Sequence, residues 1–208
     1  MRGRALRVRP PGAPRTKTGV PRPLAPSHTH RMDTPTARFR DPRSTVYDFL
    51  DLVLEHCPGC AGAARVVRVP GDEGPGGRRP FATRRLVCGG CGASRKCDGT
   101  RLTFPRGAAG PVTDPYFGRP LWLRAETRHG TLWAYNLDHL DLIRRFVAAS
   151  LRERAPWYDT GQKMTLVARL PVWVKRAGNR GEVLRALDRM HAGVPVERAG
   201  APVQAGGA

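Results

Sequence analysis

Four of the five cysteines stand in two Cys-x-x-Cys pairs, Cys57-Pro-Gly-Cys60 and Cys88-Gly-Gly-Cys91, with 27 residues between them. A turn of this kind brings two thiolates to one metal ion, and glycines inside and after it permit the tight backbone that lets amides approach sulfur. Two such turns complete a tetrahedron of soft ligands. That donor set suits one Zn²⁺, at Zn–S distances of about 2.3 Å, and leaves no open coordination position, so the expected site is structural rather than catalytic. Iron in the same four-sulfur geometry and a redox dithiol at either pair are the alternatives the spacing leaves open. Cys97 is left over, as a free thiol, a small buried hydrophobe or a substitute ligand. His56 precedes Cys57 and points away from the metal if Cys57 points toward it, which makes it a solvent-facing residue. His28 and His30 form an isolated pair near the amino terminus; His129 falls in a turn, and His139 and His191 on helix faces.

No nucleophile accompanies these histidines. The chain lacks G-x-S-x-G, a phosphate-loop lysine motif, H-E-x-x-H and a His-x-Glu ahead of a Cys-x-x-Cys, so no enzyme activity and no small-molecule substrate are expected. Asp138, His139 and Asp141 read as the polar face of a helix. The 208 residues hold 36 Lys+Arg against 17 Asp+Glu, a formal net charge of +19. Only Lys17, Lys96, Lys163 and Lys175 are lysines, and a GC-rich genome would generate the same arginine bias without selection for phosphate contact. Between His56 and Phe104 the candidate nucleic-acid contacts are Arg78, Arg79, Arg84, Arg95, Lys96 and Arg101, a possible basic face beside a solvated-surface reading of the same residues.

Several elements must position these groups. Thr45 and Asp48 resemble a capping box, and Val46, Phe49, Leu50 and Val53 repeat with helical spacing, which predicts a short helix over 45–55; Leu52 and Leu54 leave a strand open. Ala64–Val69 and Phe81–Val87 read as strands, with a Gly/Pro-rich loop at 70–80. A two-stranded hairpin alone is marginal in water, so the cysteines are expected to pin it. A second hairpin is predicted over 121–135 around Arg128-His129-Gly130. Asn136 then caps a helix running toward Pro156. Short helices follow on either side of Pro171, and Asn179 is expected to cap a last helix bearing Val183, Leu184, Leu187 and Met190.

The order of knuckle, strand, loop, strand, knuckle and polar third strand resembles a zinc ribbon of the transcription factor IIB type, with the loop at 70–80 absorbing surplus length. The stretches Asp114-Pro-Tyr-Phe-Gly-Arg-Pro-Leu-Trp-Leu, Leu132-Trp-Ala-Tyr-Asn-Leu-Asp-His-Leu and Asn179-Arg-Gly-Glu-Val-Leu are similar to those of small uncharacterised bacterial proteins that carry such a ribbon at their front. That second resemblance implies no activity.

The expected architecture is α+β. A basic Pro/Arg-rich tail spans 1–43, with a functional arm, an organelle presequence and a true start at Met32 as its competing readings. The folded body covers 44–191, with the zinc ribbon at 56–104 and a hairpin and helices at 116–191, and a Gly/Ala tail occupies 192–208. No apolar run is long enough for a membrane, and no secretory leader is visible, so the expected location is the cytoplasm. Nucleic acid or a nucleic-acid machine is the expected partner. The alternative is a protein scaffold, for which Trp122, Trp133, Trp157 and Trp173 offer either anchors or core.

Overall fold

The computed structural model describes residues 38–104, 112–152 and 165–195. All of the described residues belong to one unit. Most of the basic tail, His28, His30, Met32, Pro156, Trp157 and the last 13 residues lie outside the described residues.

The Thr45–Asp48 box forms, with Asp48 Oδ2 accepting from the Thr45 N–H at 2.6 Å. It opens only a single 3₁₀ turn, Val46–Phe49, and the expected helix stops there. Strand β2, Leu52–His56, takes the rest of that segment. Long-range pairing decides the matter, because β2 lies antiparallel to β3 (Ala63–Arg68) and on its other side exchanges hydrogen bonds with a distant part of the chain. Leu54 N–H donates to Tyr135 O, Trp122 N–H to Leu54 O and His56 N–H to Pro120 O, at 2.8–3.0 Å. Local helical periodicity cannot compete with that many partners for its backbone.

Strands β4 (Arg84–Val87) and β5 (Ser94–Cys97) complete an antiparallel sheet of order β2-β3-β4-β5. Gly99, just beyond β5, holds φ +68° where an added Cβ would stand 2.0 Å from Ala82 O, so only glycine lets this turn close on the 79–82 segment. The hairpin predicted near 121–135 is β6 (Arg124–Thr127) and β7 (Gly130–Trp133). Helix α1, Leu137–Ala148, starts at the Asn136 cap, and β8, Leu151–Arg152, follows it. Strand β8 pairs in parallel with β1, Arg38–Phe39. Phe39 and Asp41 are buried, so chain ahead of residue 44 belongs to the fold. The short helices α2 (Leu166–Arg169) and α3 (Val172–Lys175) flank Pro171, and α4 covers Arg180–Ala192. Asn179 precedes α4 but does not cap it through its side chain, which instead donates to Trp173 O.

One hydrophobic core joins all of this. Val53, Val66 and Leu86 from the inner face of the sheet belong to the same cluster as Leu123, Ile143, Val183 and Leu187, and Cys57 and Cys88 are part of it. Trp122, Trp133 and Trp173 pack against its margin. The Asp114-Pro-Tyr-Phe-Gly-Arg stretch has a physical explanation: the buried Asp114 carboxylate accepts the N–H groups of Tyr116, Phe117 and Arg119 at 2.7–2.8 Å and so shapes that loop. Burial, and next the neighbouring Asp114, push the Glu55 carboxyl up to about 9. No described helix is long and apolar enough to cross a membrane.

Candidate metal centre and basic surface

Each cysteine pair sits at a strand end, Cys57 after β2 and Cys88 after β4, and the two turns have the same hydrogen-bond pattern. In the first, Cys57 N–H donates to Gly62 O and Ala61 N–H to Cys57 O; in the second, Cys88 N–H donates to Ala93 O and Gly92 N–H to Cys88 O. The residue after the second cysteine is left-handed in both, with φ 57° at Ala61 and φ 73° at Gly92. Cys57 and Cys88 are buried and Cys60 and Cys91 exposed.

The four sulfurs lie within 4.8 Å of one another, with Cys57 Sγ 3.5 Å from Cys91 Sγ and Cys60 Sγ 3.6 Å from Cys88 Sγ. Ligands about 2.3 Å from a central tetrahedral ion stand about 3.8 Å apart, so this cluster is sized for one. The electrostatics agree. The Gly59 N–H, 3.3 Å from Cys57 Sγ, is the main reason that thiol falls to about 6. At Cys91 the Ala93 N–H also favours the thiolate, yet Cys57 and Cys60 beside it drive the thiol up to about 12. Four thiolates cannot share this volume unless a cation offsets their repulsion. Cys57, Cys60, Cys88 and Cys91 are therefore placed to bind a metal ion. His56 contributes no ligand: its Nδ1 pairs with Ala61 O at 3.0 Å, and its ring packs 4.7 Å from that of Trp122. Cys97 is half-buried in β5, apart from the four, and burial raises its thiol.

The six basic candidates separate. Arg84 points into the protein and is fully buried. Its guanidinium lies 4.8 Å from the Tyr116 ring centre and donates to Arg79 O at 2.8 Å, so it cannot reach a phosphate in solution. Arg79 is exposed but paired with Asp51 at 2.6 Å, and Arg78 covers the Phe81 ring. Arg95, Lys96 and Arg101 are exposed. Side chains alternate across a strand, and Arg95 pairs with Leu86 whereas Lys96 pairs with Arg85, so Arg95 and Lys96 leave the edge strand on opposite sides. Lys96 thus shares the outer face with Arg85 and, one strand further, with Arg65 beside Val87. Arg65 and Arg85 did not stand out in the sequence, where the register that aligns them with Lys96 is invisible.

No protein-family model matches this chain, and neither a curated protein nor a solved structure does.

Proposed function

We propose that the protein is built on one structural Zn²⁺, held by Cys57, Cys60, Cys88 and Cys91 in a ribbon of the transcription factor IIB type, and that it contacts nucleic acid without catalysis of its own. The paired, closed sulfur cluster is the observation that carries this reading: all four donors are protein thiolates, so the ion would brace the knuckles rather than activate a water. Thiolate ligands need a reducing compartment, which favours the cytoplasm. The outer sheet face supports the second half. Arg85 and Lys96 stand directly opposite each other, an arrangement of like charges that costs free energy unless an anion lies across it. Neither has an acidic partner among the described residues.

Elemental analysis of purified protein should return one zinc per chain. Binding of a labelled oligonucleotide should weaken steeply with salt, and the Arg85→Glu, Lys96→Glu double variant should lose about tenfold in affinity and flatten the salt slope by about two charges. Arg84→Met should leave that affinity unchanged, because its parent side chain is enclosed.

A second reading, a scaffold docking on a protein machine with no nucleic-acid contact, gains from the internal engagement of Arg84 and Arg79. Absence of oligonucleotide binding at roughly 50 mM salt would decide for it.

A further inference from the structure

A cavity of about 560 Å³ opens between the 46–49 turn, β7, the start of α1 and α2, on elements other than the cysteine knuckles. Five of its described lining residues are aromatic: Tyr47, Phe104, Trp133, Tyr135 and His139. Tyr47 and Phe104 meet edge to face at 5.6 Å, and Trp133 and His139 do the same at 5.6 Å, so paired rings form part of the wall. The volume is that of pockets which take small organic molecules.

Beside the hydroxyls of Tyr47, Thr131 and Tyr135, the lining includes an imidazole and a guanidinium. His139 is only 2% exposed. Its Nδ1 accepts from the Tyr135 N–H at 3.2 Å; a backbone N–H can only donate, so the ring proton resides on Nε2. That Nε2–H has no acceptor among the described residues. It is not one of the fully enclosed unpartnered side-chain atoms, so it is accessible from the cavity that His139 lines. Arg169 is the other group. It is exposed on α2, lines the same cavity and has no acidic partner among the described residues, and none of the described lining residues is an acid.

Aromatic rings along part of the wall, one unpartnered donor that faces the cavity and one cation with no competing carboxylate among the described residues together describe the complement of a particular ligand. We propose that this cavity binds a small aryl carboxylate, its ring held among Tyr47, Phe104 and Trp133, its anionic group near Arg169 and a ligand oxygen accepting from His139 Nε2–H. The site is independent of the metal and of any nucleic-acid contact.

Calorimetric titration of the full, metal-loaded chain with naphthalene-2-carboxylate tests it, with naphthalene-2-carboxamide as the uncharged control. The expected result is saturable binding at one site, with the carboxylate about fivefold tighter than the carboxamide. Arg169→Gln, a surface change, should erase that preference and leave the carboxamide unaffected. Leu170→Trp, which fills the cavity from its wall, should abolish binding of both without altering the far-ultraviolet circular dichroism. Lack of saturation at millimolar probe, binding that persists in Leu170→Trp, or a carboxylate preference that survives Arg169→Gln would each overturn the proposal.

Discussion

Ala61 adopts a left-handed backbone at φ 57°, where the matching turn of the second knuckle has Gly92. A Cβ at this conformation costs on the order of 1 kcal/mol, and a Cβ on Gly92 would meet nothing within 4 Å, so backbone strain alone is at stake there. Gly92→Ala should weaken metal retention about fivefold in competition with a chelator, and Ala61→Gly should strengthen it by a similar factor; equal affinities for the variants and the parent would contradict the strain argument. His139 supplies a pH dependence. Burial holds its imidazole down at about 3, whereas an unfolded chain takes up the proton near pH 6.5. The folded pKa is depressed, so the stability this group contributes is fully present above about pH 6.5 and is lost as the pH falls toward 3, at up to about 1.4 kcal/mol per pH unit. Acid would also release a metal held by the thiolates, so the informative quantity is a difference. Urea unfolding between pH 6 and 4 should show a shallower loss for His139→Gln than for the parent, and parallel curves would rule out a neutral buried imidazole. That a histidine on a predicted polar helix face is buried was not legible locally, because the rings that enclose it come from Phe49, Trp133 and Tyr135.

Among the elements, the junction between β2 and α1 depends on one side chain. Asn136 Oδ1 accepts from His139 N–H at 2.8 Å and so caps α1. Its Nδ2 donates to Phe49 O at 3.0 Å and Leu52 O at 2.9 Å, tying the helix start to the segment where the 3₁₀ turn becomes β2. Asn136→Ala removes the cap and strands two carbonyls, and should cost about 2–4 kcal/mol in thermal or urea unfolding. Asn136→Asp keeps the cap but faces the same carbonyls with oxygen, so it should be no more stable than the alanine variant; full rescue by Asp would show that the two donated bonds do not matter. The cap was readable from Asn ahead of an apolar-periodic run. The other two bonds were not, since their acceptors lie more than 80 residues away in sequence. Asn179 shows the reverse case, in which a cap signal is present but the Trp173 carbonyl captures the side chain.

At the scale of the described fold, the sheet that carries the knuckles is fused to the helices by a common core and does not depend on a metal ion alone. Metal loss should therefore act unevenly. In Cys88→Ser protein, the expected result is no bound metal, stability lower by several kcal/mol, and hydrogen exchange that quickens first over 57–62 and 88–93 while the Val66 and Leu86 amides stay protected longest. Uniform loss of protection would mean that the ion holds the entire sheet. Cysteine type and spacing alone pointed to the four-cysteine cluster, since a Cys-x-x-Cys turn is local and carries its own geometry. The strand pairs 63–68 with 84–87 and 124–127 with 130–133 were legible for a related reason: alternation and turn residues act over a few positions. Tertiary structure alone decided that 52–56 is a strand, that Arg84 is enclosed while Arg85 faces outward beside Lys96, and that five aromatic rings converge on a cavity. Each of these outcomes depends on register and on contacts between distant segments, and a one-residue slip in pairing exchanges the two faces of a strand without changing its sequence.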